Sequence, residues 1–213
     1  NNRRTYNYGV EEATLTDMGI DRTAAKYKAA DGTIDDKAVA ADVAVKFHST
    51  LQSKIPNWDK LPTEVYDAVF SLTWNAGRTA FKGYSLGTNL NKIATSKDTE
   101  AVKKAAYAAE LKKNLLDVVG AKTKDASGNS LKRVQLGLAN RRGRDYNLAA
   151  EALGVDKLTH YKVSRVLNEA EKDIGSKVEY FTAGSDTAVR TVTLKRTVLE
   201  KERAKSGTKT PIG

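Results

Sequence analysis

The chain has 213 residues, of which 40% are hydrophobic and 29% are charged, a balance typical of a folded protein rather than a disordered one. It contains no cysteine and only two histidines, which excludes a disulfide framework and thiolate metal sites, and we expect neither a metal nor a cofactor. With 36 basic and 26 acidic residues, the net charge of +10 indicates either a polyanionic partner or a generally basic solvated surface.

The first part of the chain predicts a short strand and two turns. Residues 5–10 read Thr-Tyr-Asn-Tyr-Gly-Val, in which β-favouring side chains precede a glycine, as in a strand that ends in a turn. Residues 31–32, Asp-Gly, predict the second turn. The first residue is Asn1 rather than Met, which indicates a processed product or part of a longer polypeptide.

Two amphipathic helices are predicted next. Apolar residues recur at four-residue steps after Thr33, the predicted N-cap, and this helix ends before Pro56. The second helix begins at Pro62 and ends at Gly77. The predicted core combines the apolar faces of these helices with one later residue, and it comprises Val39, Val43, Phe47, Val65, Val69, Leu72 and Leu138.

Two aromatic side chains on these helices have both a structural and a functional interpretation. His48 borders the first apolar stripe, and a packed structural histidine is favoured over a catalytic one. Trp74 widens the apolar face of the second helix, and a core position is favoured over a sugar-stacking platform.

Helices are also predicted over residues 88–95, 99–119 and 131–153, the last interrupted or bent near Gly137 and Gly143. Residues 154–213 are predicted to be an extension of the domain formed by residues 1–153. We expect this extension to contain a helix over residues 156–174 and a β-hairpin with strands over 178–182 and 189–194. A basic, mobile tail is expected over residues 200–213.

Three segments of the chain stand in a recognisable order. Thr5-Tyr6-Asn7-Tyr8-Gly9 comes first. Residues 66–77, Tyr-Asp-Ala-Val-Phe-Ser-Leu-Thr-Trp-Asn-Ala-Gly, follow, and residues 137–148, Gly-Leu-Ala-Asn-Arg-Arg-Gly-Arg-Asp-Tyr-Asn-Leu, come last. In this order they resemble the phage-type lysozymes, also called endolysins or muramidases, over residues 1–153. The resemblance implies an α+β fold that is mainly α, here a lysozyme-like domain with a C-terminal helix and β-hairpin extension.

The resemblance also implies roles for individual residues. Thr5 falls on the threonine that positions the attacking water in that family. Asn75 and Gly77 match the N-x-G sequence that closes the central helix, and they are candidate substrate-binding residues. In the third segment, Arg141, Arg142 and Asp145 match motif residues that mostly have a structural role in the family. From spacing alone, Arg142 and Asp145 could equally form an ordinary helix ion pair worth about 0.2–0.5 kcal/mol.

The chain departs from the family pattern at its beginning. Glycosidic hydrolysis uses an acid to protonate the leaving oxygen and a second carboxylate to assist the water or the glycosyl cation. The family has both acids upstream of the threonine, spaced E-x8-D-x5-T, whereas the four residues before Thr5 are not acidic. Both catalytic carboxylates are therefore expected to lie outside this chain. Glu11 and Glu12 follow Thr5 and are interpreted as part of a solvated turn.

The resemblance implies a phage virion-associated protein that binds or degrades peptidoglycan during host cell entry or lysis. If active, it would be a glycoside hydrolase. The alternative is a catalytically silent structural or ejected virion protein that uses a lysozyme-derived fold. Expected partners are peptidoglycan, other virion proteins through residues 154–213, and packaged DNA as a weaker candidate. The location would be the virion, as a tail or internal ejected protein, or the host envelope on delivery. No apolar run approaches the roughly 20 residues of a membrane span.

Overall fold

The computed structural model describes residues 4–124, 130–195, 203–204 and 209–213. With 53% helix and 21% strand, it confirms the predicted α+β class that is mainly α. The α-helices in this part of the chain are α1 (Glu12–Met18), α2 (Asp36–Lys54), α3 (Thr63–Ala76), α4 (Arg78–Gly83), α5 (Ser85–Thr95), α6 (Glu100–Glu110) and α7 (Leu136–Leu153). None of these helices has the length and apolar character needed to cross a bilayer.

The ends of α2 and α3 follow from local chemistry. The side chain of Asp35 accepts a hydrogen bond of 3.1 Å from the backbone N–H of Ala38, so Asp35 is the N-cap and the prediction of Thr33 is wrong. Asp35 prevails because its carboxylate reaches the amide of Ala38, one of the first-turn amides that have no partner within the helix. Helix α3 follows Pro62 and ends at Gly77, as the sequence predicts.

Two hydrophobic clusters form the core, and α2 contributes to both. The smaller cluster joins the apolar residues of the first half of α2 to the N-terminal segment, through Val10, Leu15, Met18, Tyr27, Val39, Val43 and Phe47. Leu51 and Ile55 belong to the larger cluster, which surrounds α3. Six of the seven predicted core residues are buried. Leu138 is only half-buried, because it lies in the first turn of α7 beside the exposed Leu136.

The strands form a hairpin and a larger sheet. The hairpin pairs β1 (Gly120–Lys124) with β2 (Ser130–Val134) in antiparallel fashion. The larger sheet has the order β5-β4-β3, with two short strands on the other edge of β3. Its strands are β3 (Leu158–Leu167), β4 (Asp173–Thr182), β5 (Arg190–Lys195), β6 (Arg203–Ala204) and β7 (Lys209–Pro211).

The sheet corrects several predictions for the second half of the chain. The predicted helix over 156–174 is wrong, because β3 occupies most of it and pairs with β4. The predicted helix over 131–153 begins only at Leu136, since the residues before it pair with β1. The predicted strand over 178–182 is confirmed within β4, and the predicted strand over 189–194 is confirmed from Arg190, where β5 begins.

The C-terminal residues and the helix α7 also differ from the sequence-based expectation. Helix α7 runs through Gly143 as one helix, so the predicted interruption there is wrong. In the predicted mobile tail, β7 instead pairs with β3, while the remainder of 200–208, apart from 203–204, lies outside the described residues. The strands β3 and β4 share the larger core cluster with α3 through Tyr161 and Tyr180. The boundary between residues 153 and 154 stays a prediction.

Candidate functional site

A cleft of about 380 Å³ lies between the N-terminal segment and the helices α3 and α7. Elements packed on both hydrophobic clusters form this cleft, because α1 packs on the smaller cluster and α7 packs on the larger one. Three of the residues selected from the sequence, Asn75, Gly77 and Arg141, lie together in its wall. The remaining lining residues are Tyr8, Gly9, Glu11, Thr14, Trp74 and Ala76.

Beneath the cleft, a buried ion pair connects α3 to α7. The guanidinium of Arg142 is fully buried, and its Nη1 donates a hydrogen bond of 2.5 Å to Oδ2 of Asp145, which is 4% exposed. Ser71 on α3 donates a bond of 2.6 Å to the other carboxylate oxygen of Asp145. Arg142 and Asp145 therefore have a structural contact, but it is a buried pair and not the surface pair that spacing alone allowed.

The protonation of this pair is governed by desolvation. Burial raises the pKa of the Asp145 carboxyl, and the neighbouring Arg142 guanidinium opposes that rise. Burial likewise lowers the pKa of Arg142, and Asp145 opposes that change. Each charge depends on the other because little water reaches either side chain.

The same guanidinium orients Asn75 at the cleft. Nη2 of Arg142 donates a hydrogen bond to Oδ1 of Asn75, whose residue is exposed at the end of α3. Since this bond occupies the acceptor end of the amide, the Nδ2 hydrogens are the donors that Asn75 can offer to a ligand. The arrangement presents a fixed hydrogen-bond donor in the cleft, held by a residue that does not itself line it.

Gly77 supplies the sharp break between α3 and α4. Its φ of 89° and ψ of 153° lie in a region that side-chain-bearing residues rarely adopt. Its amide donates a hydrogen bond of 2.9 Å to the carbonyl of Thr73, which closes the last turn of α3. The glycine thus ends the helix one residue after Asn75 and leaves the Asn75 side chain in the last turn of α3, at the cleft.

The predicted Thr5 lies close to this site but not in its wall. Thr5 is exposed, and its backbone forms an isolated antiparallel bridge with Glu11, which does line the cleft. The proposed role of Thr5 in positioning water stays a prediction. Among the described residues, Glu11 is the one carboxylate in the cleft wall. The sequence predicts a solvated turn at Glu11, because its spacing gives no sign that it shares a cleft with the end of α3.

Two aromatic residues differ in their relation to the cleft. Trp74 is half-buried, and its ring centroid lies 5.1 Å from that of Phe47 in the core. Trp74 also lines the cleft, so part of its side chain packs in the core and part is accessible to a ligand. His48 lies away from the cleft wall, where its Nδ1 is hydrogen-bonded to the hydroxyl of Tyr66 and its ring meets Trp58 edge to face. The packed interpretation of His48 agrees with these contacts.

A second depression of about 540 Å³ adjoins the cleft along α7. Arg141 lines both, so the two are neighbours on one surface. Sequence reasoning missed the contribution of Arg144 and Ser71, although Arg144 stands three residues after Arg141 and therefore shares its helix face. The full lining is Ser71, Gly137, Asn140, Arg141, Arg144, Asp145 and Leu148.

The described residues contain no group of three acidic or histidine side chains that could hold a metal ion. The cleft instead offers an amide, a guanidinium, a carboxylate and an indole edge, which suit a polar ligand with some apolar surface. In comparison with known proteins, the sequence matches no family model, no curated protein and no solved structure.

Proposed function

We propose that this protein binds the glycan strand of peptidoglycan in the cleft between α1, α3 and α7, as a phage virion-associated, lysozyme-like protein acting at host cell entry or lysis. The observation that carries the proposal is the fixed amide of Asn75, whose acceptor end is held by the buried Arg142. N-acetylated sugars present amide carbonyls and hydroxyls, and a pre-oriented donor recognises such groups without an ordering cost.

The other residues of the wall complement a sugar. Trp74 offers an indole edge for the apolar side of a pyranose ring, and the Glu11 carboxylate can accept hydrogen bonds from hydroxyl groups. Arg141 supplies a cation for the acidic substituents of the strand. Three sequence motifs that resemble those of phage-type lysozymes meet at this surface, which further supports a glycan ligand.

The alternative is a catalytically silent virion protein with a lysozyme-derived fold, and the number of carboxylates in the described cleft wall supports it. Hydrolysis with either stereochemical outcome normally uses two carboxyl groups, whereas the described wall contains Glu11 alone. The carboxylate of Asp145 is bonded to Arg142 and Ser71. The geometry therefore supports binding more directly than cleavage.

Co-sedimentation with purified peptidoglycan sacculi tests binding. We expect the protein to pellet with sacculi, and Asn75→Ala to weaken the apparent affinity by about 5–10-fold, the value of one hydrogen bond to a polar ligand. Gln52→Ala is the matched control, because it truncates an amide on α2 outside the cleft. Failure of the unmodified protein to pellet would refute the proposal.

Zymography on the same sacculi separates the two candidates. Clearing that depends on the protein would support a muramidase, and binding without clearing would support the silent virion component. A reducing-sugar assay run in parallel distinguishes cleavage of the glycan from cleavage of peptide bonds, because only the first releases new reducing ends.

A further inference from the structure

The depression beside the glycan cleft has a distinct chemistry. One face of α7 supplies most of its wall, since residues at positions i, i+3, i+4, i+7 and i+11 lie on the same side of a helix. In α7 these are Gly137, Asn140, Arg141, Arg144 and Leu148. The opposite face of the helix is buried in the core, so this face is held rigidly towards solvent.

The two arginines of this face have no direct partner among the described residues. Arg141 and Arg144 are both exposed, and neither forms an ion pair or hydrogen bond with a described residue. By contrast, the nearby Arg142 is fully buried and donates a hydrogen bond to the carboxylate of Asp145. Asp145, which also lines the depression, is paired directly with Arg142, and Arg141 and Arg144 act on its carboxyl only as weaker neighbouring charges. The guanidinium hydrogens of Arg141 and Arg144 therefore remain available to an external anion.

We propose that this depression binds the free carboxylates of the short peptide stems that branch from the glycan strand, and this inference rests on the proposed binding of glycan in the adjoining cleft. Arg141 lines both depressions, so a branch leaving a sugar beside Arg141 passes directly into the second one. Guanidinium groups bind carboxylates through paired hydrogen bonds, which makes arginine the preferred residue for this task.

The remaining wall favours a peptide over a polyphosphate. Leu148 is 52% exposed and offers an apolar surface to small side chains such as alanine. Because the hydroxyl of Ser71 donates to Asp145 and Oδ1 of Asn140 accepts from Gly213, Ser71 can accept a hydrogen bond from a peptide N–H and Nδ2 of Asn140 can donate one to a peptide carbonyl. A volume of about 540 Å³ lies in the usual range for a compact ligand, and it accommodates a few residues. A nucleic-acid backbone would instead be expected to follow an extended basic track.

Titration calorimetry with soluble glycan strands tests the inference, with strands that carry stems, strands stripped of stems by an amidase, and strands whose stem carboxylates are amidated. Arg144 is the informative position because it lines only the second depression. We expect Arg144→Gln to weaken binding of stem-bearing strands by about 10-fold and to change binding of the other two by less than about twofold. Arg165→Gln is the matched control, an exposed arginine on β3 outside both depressions.

A second variant obstructs the depression without removing charge. Gly137 lines it, and a Cβ built there meets no atom within 4 Å, so Gly137→Leu fits the helix while its side chain occupies the cavity. We expect this variant to fold normally and to lose affinity for stem-bearing strands by a similar factor. Circular dichroism and thermal melting verify the fold of each variant.

The outcomes are distinguishable. If the unmodified protein binds stem-bearing and stripped strands equally, the peptide site is refuted while the glycan proposal survives. If it binds neither, the glycan proposal fails as well. If Arg144→Gln weakens all strands alike, or weakens only a phosphodiester polymer such as teichoic acid or DNA, the carboxylate ligand is wrong.

Discussion

Replacement of Arg142 by methionine should destabilise the protein far more than its helical spacing suggests. An exposed i,i+3 ion pair contributes about 0.2–0.5 kcal/mol. Arg142, however, is 0% exposed and Asp145 is 4% exposed, so the variant leaves a buried carboxylate whose remaining side-chain donor is Ser71. Truncating one partner of such a pair typically costs about 3–5 kcal/mol, and we expect a loss in this range at pH 7.

The loss should depend on pH in a defined direction. Burial already raises the pKa of Asp145, and removing Arg142 removes the cation that opposes this rise. A raised pKa in the folded state means that the fold loses stability as the pH rises from the unfolded pKa of about 3.9 through the folded value. The difference between Arg142→Met and the unmodified protein should therefore shrink as the pH falls towards 4, where the buried carboxyl is protonated.

Urea unfolding followed by circular dichroism at several pH values provides the measurement. The double variant Arg142→Met/Asp145→Leu is the companion, because replacing both charges with apolar groups removes the unpaired carboxylate and should recover more than half of the loss. A cost below about 1 kcal/mol for Arg142→Met, or no recovery in the double variant, would show that the pair is not the buried, coupled unit described above.

Three further substitutions probe the backbone and the core. Gly77→Ala forces a side chain into a φ of 89° and should cost about 1–3 kcal/mol in urea unfolding, whereas a neutral result would contradict the assigned break after α3. Tyr180→Phe removes a buried bond of 2.9 Å to the carbonyl of Ala139 and should cost about 1 kcal/mol. Because burial raises the pKa of Tyr180, this phenol should stay protonated in an alkaline titration at 295 nm until the protein unfolds; titration with the exposed tyrosines would contradict its burial. Gly175→Ala should lower the melting temperature substantially, since the added Cβ would lie 2.0 Å from the carbonyl oxygen of Leu194 on the paired strand; an unchanged melting temperature would exclude that pairing.

The helices α2 and α3 could be predicted because their burial follows a single amphipathic period. Val39, Val43 and Phe47 recur every four residues and are all buried, and Pro62 and Gly77 bracket the next helix. The local sequence is enough here because each helix satisfies its own backbone hydrogen bonds.

Strand β3 could not be predicted in the same way. Its buried residues Leu158, Tyr161 and Ser164 recur every three positions, a pattern close to that of a helix. A register irregularity between Leu158 and His160 shifts the alternation that normally identifies a strand. The pairing with β4 and β7 decides the structure; β4 follows after a short turn, whereas β7 is distant in the sequence.

The sequence predicts only those residues of the candidate site that belong to its motifs. Asn75, Gly77 and Arg141 carry recognisable motifs, and the structure places them in one wall. Glu11 also lies at this surface, but no spacing pattern marks it, because its position depends on a backbone bridge to Thr5. The spacing of Arg144 places it on the same helix face as Arg141, but only the burial of the opposite face of α7 shows that this face borders the site.

The pairing of β7 with β3 has a consequence for the order of folding. Ile212 packs so closely on α7 that a Cβ at Gly143 would lie 2.7 Å from its Cδ1, and the amide of Gly213 bonds to Asn140 across 73 positions. Helix α7 therefore leaves the ribosome well before its last packing partner is synthesised, and contacts of such long range form late. A chain that lacks residues 209–213 would lose the contacts at Gly143 and Asn140, although α7 would still pack on the larger core cluster.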